Sequence, residues 1–259
     1  MERRGEHTRL THSRRRGPLA VQRPFYPEGG VCHLYLLHPP GGLVGGDSLE
    51  IEVQVREGAQ ALLTTPGAAK LYRSADRQAI QRQRFRVGDG GILEWFPQES
   101  ILFSGARVQS RTHVELRGSG RFLGWEIQSL GRPAVKERFE SGAADLGLDI
   151  GREAKPLLSE RLRVPSVASL DGPSSLRGYP ITALFIASGA GAEDLAAARQ
   201  GLAPTNEVLL ALTLLEDLLV ARCLARSLEP VRRTFLLLWG ILRPRLLGRE
   251  ACPPRIWAT

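Results

Sequence analysis

Cysteine and histidine, the residue types on which most soft-metal centres and many catalytic sites depend, are scarce in this 259-residue chain. It has 3 cysteines and 5 histidines, and no histidine follows His113. The cysteines are odd in number and far apart, so they form neither a disulfide framework nor a C-x-x-C motif. This usage favours a reducing compartment, the cytoplasm.

Long apolar segments are missing as well. The densest apolar run covers residues 208–215 and ends at Glu216 and Asp217, whereas a membrane-spanning helix needs about 20 apolar residues. The first sixteen residues contain six arginines with no apolar segment after them, so they do not resemble a secretory signal. We therefore expect no membrane partner, and we expect residues 1–16 to form a flexible basic tail.

Lysine is rare, whereas arginine is abundant. Only three of the 35 basic residues are lysines, and the formal net charge is +8. Such a charge is compatible with an acidic partner or a nucleic acid, and Arg82, Arg84 and Arg86 alternate along one predicted strand. Single-stranded nucleic-acid sites combine charge with stacking aromatics, but this strand contains only Phe85. We prefer a charged solvent-facing surface and keep a basic nucleic-acid-binding protein as an alternative.

Short strands and frequent turns dominate the chain up to about residue 200. Apolar and polar residues alternate over 49–55 and 107–117, which is the pattern of half-buried strands. Glycine-rich turns such as 88–91 separate these strands. The sequence predicts a mainly β protein, α+β weighted to β, with layered or helically wound strands and a C-terminal helical pair.

The predicted organisation is a single domain over residues 17–259. Its β-rich core covers 17–200. Apolar residues then recur at helical spacing and predict the two helices within 205–248. The last segment, 249–259, is expected to pack on the core as a C-terminal tail.

A glycine-rich stretch between His38 and Ser74 combines two prolines with several glycines and a Thr-Thr-Pro-Gly turn. Proline fixes φ, and glycine permits positive φ or close backbone approach. No Gly-Lys-Ser/Thr follows, so a tight loop is preferred over a phosphate site. The structural motif consists of Gly41, Gly42, Gly45, Gly46, Thr64, Thr65, Pro66 and Gly67.

One short motif points to an enzyme. Residues 46–49 read Gly-Asp-Ser-Leu, as in the GDSL hydrolases, with Ser48 as the nucleophile. Those enzymes need a histidine late in the chain, and a serine without a base is a weak nucleophile. A GDSL-like hydrolase is therefore kept only as an alternative, and no catalytic residue is assigned.

Metal ligation is the remaining chemistry to weigh. Cys32 and His33 are adjacent, so in a strand their side chains point to opposite faces, which disfavours a shared site. Carboxylates are better suited to weak, transient contact with a metal ion. Asp47, Glu94 and Glu126 are the candidate residues of a metal path, and the competing interpretation is that each accepts hydrogen bonds from backbone amides.

Several longer motifs occur in one order from about Gly17 to the end of the chain. They read His-Pro-Pro-Gly-Gly-Leu-Val-Gly-Gly-Asp at 38–47, Glu-Trp-Phe-Pro-Gln-Glu at 94–99, Trp-Glu-Ile at 125–127, Leu-Gly-Arg-Pro-Ala at 130–134 and Cys-Pro-Pro-Arg-Ile-Trp-Ala-Thr at 252–259. Together they resemble the urease accessory proteins called UreD, or UreH in some species. Lys136 departs from that pattern, because a small residue is expected there.

The resemblance, and not the composition, implies a function. It implies a urease maturation factor that is not an enzyme and acts as a scaffold or chaperone. The expected partners are UreF-like and UreG-like accessory proteins and apo-urease subunits, with no nucleic acid. It also implies that the protein has no tightly bound cofactor and that nickel passes in transit through an internal tunnel toward the urease active site.

Overall fold

The computed structural model describes residues 1–165, 170–203 and 205–258. Within them the chain forms short and long strands and two α-helices, α1 Ala192–Gly201 and α2 Leu228–Leu247. The strands are β1 Glu2–Arg4, β2 His7–Arg9, β3 Ala20–Val21, β4 Cys32–Leu37, β5 Gly42–Leu43, β6 Ser48–Val55, β7 Gln60–Thr64, β8 Ala69–Leu71, β9 Ala79–Val87, β10 Ile92–Phe96, β11 Ser100–Leu102, β12 Arg107–Leu116, β13 Arg121–Arg132, β14 Glu137–Arg138, β15 Ala143–Arg152, β16 Lys155–Val164, β17 Ile181–Ser188, β18 Val208–Leu215 and β19 Leu218–Ala225.

Two large sheets are built by a chain that alternates between them. In the larger sheet β4, β7, β10 and β13 are parallel neighbours, and in the five-stranded sheet β6, β9, β12 and β15 are parallel neighbours. Along the chain these strands of the two sheets alternate in the order β4, β6, β7, β9, β10, β12, β13 and β15, with the short strands β5, β8, β11 and β14 in the connections between them. This is a helically wound β architecture, and the predicted mainly β fold class is confirmed.

The core lies in two layers. Between the sheets, one apolar cluster contains Phe85, Val114 and Phe122, and a second contains Val108 and Leu130. The other face of the larger sheet is covered by α2, whose apolar stripe belongs to a third cluster. The larger sheet is therefore buried on both faces, which requires apolar residues at nearly every position of its central strands.

Helix α2 was expected from its apolar stripe, and its stripe residues Val231, Phe235, Leu238 and Leu242 are fully buried. The helix continues past Pro244 and ends at Gly248, which adopts a left-handed conformation with φ of 66°. Neither helix in the described part of the chain has the length and hydropathy needed to cross a membrane.

The first helix of the predicted pair was placed wrongly. Residues 208–225 form the hairpin β18–β19, and the other helix, α1, precedes it. Strand β19 lies inside the larger sheet, between β17 and β18, and Leu219 and Val220 on its two faces are both buried. A strand buried on both faces is apolar throughout, so its sequence can also match a helical period.

The N-terminal segment also differs from the flexible tail that was predicted. Strands β1 and β2 form an antiparallel hairpin. The Met1 ammonium donates to the carbonyl of Gln54 at 2.6 Å, and the amide of Gln60 donates to the hydroxyl of Thr8 at 2.7 Å. Residues 1–9 are thus part of the fold, whereas residues 11–16 are exposed and belong to no helix or strand.

Candidate functional site

The glycine-rich stretch is a tightly packed loop. Gly46 has a φ of +98°, and a Cβ atom on Gly45 would lie 2.0 Å from the hydroxyl oxygen of Ser74. Asp47 closes the turn, because the amide of Val44 donates to its Oδ2 at 2.9 Å. Thr64 is equally structural, since its hydroxyl accepts from the indole of Trp257 at 2.9 Å and ties the C-terminal segment to the sheet.

Lys136 occupies a left-handed conformation, with φ of 60°, at the end of a short 3-10 turn. Residues with a Cβ atom rarely adopt this conformation, and glycine or asparagine does so at lower cost. The expectation of a small residue there thus has a backbone explanation.

Glu94 lies on the helix-facing side of the larger sheet and is buried in a hydrogen-bond network. Its carboxylate accepts from the indole of Trp239 at 2.7 Å and from Arg243 Nη2 at 2.8 Å. Burial raises the pKa of Glu94, against the opposing effect of the hydrogen bonds from Arg243 and Trp239. The geometry gives Glu94 the role of anchoring α2 to β10.

The same arginine joins a second carboxylate to this network. Arg243 Nη1 and Nη2 each donate to Glu28 at 2.7 Å, and Glu28 also contacts His33 Nε2 at 2.6 Å. Burial acts to raise the pKa of Glu28, but the hydrogen bonds from His33 and Arg243 outweigh it and lower this pKa to about 2. The network therefore connects α2 with β10 and with the segment that leads into β4.

Glu126 occupies a different place, on the face of β13 that looks into the space between the two sheets. On three strands, polar side chains that point between the sheets lie at corresponding positions along the strand. We call this set the polar belt: Gln81 and Gln83 on β9, Ser110 and Thr112 on β12, and Glu126 and Gln128 on β13. Phe85 and Val114 flank the belt on one side, and Val108 flanks it on the other. The belt thus separates the two apolar clusters between the sheets.

Strand register brings the belt residues together. Gln83 is paired with Thr112 across β9 and β12. The Thr112 hydroxyl donates across the inter-sheet space to Glu126 Oε1, and the Gln128 amide donates to Glu126 Oε2 at 3.4 Å. These partners are neutral, and among the described residues no arginine or lysine forms an ion pair with Glu126. Burial raises the pKa of this carboxyl, and its two hydrogen bonds oppose that shift.

Two cavities meet at Glu126. The first has a volume of about 220 Å³ and is lined by Gln81, Gln83, Ser110, Glu126 and Gln128. The second has a volume of about 570 Å³ and is also lined by Glu126 and Gln128. The belt therefore gives a cation one partly buried carboxylate, several neutral oxygen ligands and space on both sides.

The predicted structural motif forms part of the wall of the first cavity. Five of its members line that cavity, namely Gly41, Gly42, Thr65, Pro66 and Gly67. A Cβ atom on Gly42 would lie 2.5 Å from the Tyr72 ring and 2.7 Å from the carbonyl of Lys70. The absence of a side chain at Gly42 thus allows the backbone of β5 to pack closely against β8 in this wall.

The three predicted metal-path acids do not converge on one site. Glu126 lies between the sheets, Glu94 lies on the opposite face of the larger sheet, and Asp47 lies in a loop. The assignment of all three to a metal path stays a prediction, and only Glu126 borders a cavity together with other oxygen ligands. Sequence reasoning missed the rest of the belt, although polar residues at the centre of otherwise apolar strand faces were a usable signal.

The alternative chemistries find no site in the described residues. No group of three or more histidine, cysteine, aspartate or glutamate side chains there could hold a metal ion. Ser48 lies at the start of β6, and its register partner is Ile80. Arg82 and Arg84 form ion pairs with Glu50 and Glu52, which favours a charged outer sheet face over a nucleic-acid surface.

Comparisons with known proteins extend over nearly the whole chain. The profile of the family described as UreD urease accessory protein matches residues 1–258. A urease accessory protein UreD from Alcanivorax borkumensis is 47% identical over 257 residues, covering 99% of this chain and 87% of the relative. UreD proteins from Pseudomonas putida strain W619 and Azoarcus sp. strain BH72 are each 48% identical, over 97% and 100% of this chain and 89% and 91% of the relatives. The chain belongs to the UreD urease accessory protein family.

Proposed function

We propose that this protein is a urease maturation factor, a non-catalytic scaffold that binds apo-urease and assists insertion of nickel into its active site. Family membership supports the role in urease maturation. The family is described as one of accessory proteins, which supports the expectation that the chain is not an enzyme.

The observation that carries the nickel part of the proposal is the polar belt. A transported ion needs ligands along its route, but a site that binds too tightly stops transport. Oxygen ligands bind divalent nickel less tightly than closed sets of cysteine and histidine do. Glu126, with Gln128 beside it and a cavity on each side, provides such a low-affinity binding site. We propose that nickel passes from one cavity to the other by way of the Glu126 carboxylate.

Nickel binding at Glu126 is also coupled to the protonation of its carboxylate. Glu126 is partly buried, without a cationic partner among the described residues, and burial raises its pKa. A proton and a metal ion compete for the same oxygen atoms. Arrival of the ion displaces any proton held there, and departure of the ion allows the carboxyl to regain it.

A groove along α2 is the proposed docking surface for a UreF-like partner. Leu236 and Leu237 are 38% and 51% exposed on this helix. They line a groove of about 580 Å³ together with Trp257 and Arg233. Exposed leucines of this kind, rimmed by charged residues, favour a protein–protein contact. The contacts with a UreG-like protein and with urease subunits are proposed from the resemblance alone.

Reconstitution tests the proposed function. The chain is co-expressed with urease subunits and with UreF-like and UreG-like proteins, and bound nickel and urease activity are measured with and without it. The proposal requires urease to remain largely nickel-free when the chain is omitted. Equal nickel content in both cases would overturn it.

Partner binding is tested in the same system by affinity capture. Leu237→Glu should abolish capture of the UreF-like protein, because a charge would be buried at the contact. Val135→Glu is the control, since Val135 is also exposed, at 64%, but lies in the 3-10 turn Pro133–Val135, outside the groove and outside both cavities. Capture that is unaffected by Leu237→Glu would exclude this groove as the docking surface.

A further inference from the structure

An ion pair joins the two sheets at the far side of the second cavity. Arg222 Nε donates to Glu160 Oε1 at 3.0 Å. Both residues face the space between the sheets, because Glu160 alternates with the exposed Ser159 and Arg161 along β16, and Arg222 shares its face of β19 with Val220 of the inter-sheet cluster. The pair therefore lies at the level of the polar belt.

Strand register fixes that level. On the larger sheet Glu126 is paired with Leu184, and Leu184 with Arg222. On the five-stranded sheet Thr112 is paired with Leu148, and Leu148 with Glu160. Two inter-sheet contacts, Thr112 to Glu126 and Glu160 to Arg222, thus lie two strands apart, or roughly 10 Å.

The charged side chains around the second cavity divide into two groups. In the described part of the chain, Glu126, Glu160, Arg161 and Arg222 line it. Arg161 is turned to the outer face, where its Nη2 donates to Asp149 at 2.7 Å. Among the described residues, the inner wall of the second cavity therefore carries two carboxylates and one cation, and the cation is bound to Glu160.

We propose that Arg222 keeps Glu160 from acting as a cation ligand, so that Glu126 is the one free carboxylate that the described residues contribute to the nickel route. This inference rests on the proposed function of the polar belt. The affinity of an oxygen site for a divalent ion rises with the number of charged ligands. With Glu160 neutralised, the cavity binds the ion weakly enough to release it; with Glu160 free, the cavity retains it.

Nickel binding by the full chain separates this role from a purely structural one. The measurement is equilibrium dialysis against Ni²⁺ alone, comparing wild type with Arg222→Met. We expect the variant to bind Ni²⁺ about tenfold more tightly, because a positive charge near the route is removed and a carboxylate is freed. Adding Glu160→Gln to this variant should restore wild-type affinity. Nickel sites elsewhere on the chain are shared by all variants and cancel in the comparison.

The matched control is Arg161→Met, which removes the same charge from the wall of the same cavity but frees Asp149 on the outer face. It should leave nickel affinity within about twofold of wild type. Wild-type affinity in Arg222→Met, or an equal increase in Arg161→Met, would overturn the inference. A loss of stability without any change in nickel binding would show that the pair only joins the sheets.

Glu160→Gln gives a second test that does not depend on Arg222→Met folding. It leaves Arg222 unpaired beside the route, so nickel should bind more weakly than in wild type. Unchanged or tighter binding would contradict the inference. These measurements of nickel binding test the role of Arg222. The proposed function itself is tested separately, by urease activation with a Glu126 variant. The two hypotheses can therefore fail separately.

Discussion

Removal of Arg243 should destabilise the protein more than removal of any exposed arginine. Its side chain is completely buried and forms ion pairs with Glu28 and Glu94. In Arg243→Met both carboxylates lose this partner in a low-dielectric environment. The substitution also removes the guanidinium from its position 5.3 Å from the Trp239 ring centroid.

The expected cost follows from these contacts. Removal of one partner of a buried ion pair lowers the free energy of unfolding by about 3–5 kcal/mol, because the remaining charge stays buried without compensation. Loss of the contact with Trp239 adds about 0.5–1 kcal/mol. Since single domains are stable by only about 5–15 kcal/mol, Arg243→Met should be close to unfolding at 37 °C.

Urea denaturation followed by tryptophan fluorescence measures this cost. Arg245→Met is the control, because Arg245 lies on the same helix and pairs with Asp194 while remaining 39% exposed; its expected cost is about 0–1 kcal/mol. The double variant Glu94→Gln with Arg243→Met should regain part of the loss, since it removes one of the two uncompensated charges. A cost for Arg243→Met equal to that of Arg245→Met would refute the proposed anchoring role.

Two further predictions concern the loop and the network. Gly45→Val should cost about 1–3 kcal/mol through overpacking against Ser74 and the carbonyl of Arg77, whereas Gly67→Ala, with nothing within 4 Å of its Cβ, should be nearly neutral; equal denaturation midpoints would contradict this. Glu28 has a folded-state pKa of about 2, so its contribution of about 3 kcal/mol is present above pH 4.5 and lost as the pH falls toward 2. Wild type and Glu28→Gln should therefore converge in stability over that interval, and a constant difference would contradict the assignment.

Strands with one solvent-exposed face could be predicted from the sequence, whereas strands buried on both faces could not. In β12 the inward positions Val108, Thr112 and Val114 alternate with exposed or half-exposed residues. The two-residue period of a strand and its buried face could therefore both be identified from the sequence. Strand β19 lacks such alternation because sheet and helix cover it from both sides, and local propensity could not distinguish it from a helix.

The candidate site was predictable only in part. Glu126 could be chosen as an acidic residue within a strand, but its partner Thr112 belongs to the opposite sheet and is set by the winding of the chain. The network of Glu28, Glu94 and Arg243 that anchors α2 is even harder to predict from the sequence, since Glu28 and Arg243 are 215 positions apart. No local pattern encodes a contact of that separation.

A nickel titration of urease activation tests the role of Glu126 most directly. Reconstituted complexes containing wild type, Glu126→Gln or the outer-face control Glu50→Gln are compared at matched complex yield, from limiting to saturating nickel. If nickel passes by way of this carboxylate, Glu126→Gln should raise the half-activating nickel concentration about tenfold, equivalent to about 1.4 kcal/mol, and reach the wild-type plateau, while Glu50→Gln should follow wild type. A Glu126→Gln curve that coincides with wild type, or one that is equally poor at saturating nickel, would contradict the proposed route.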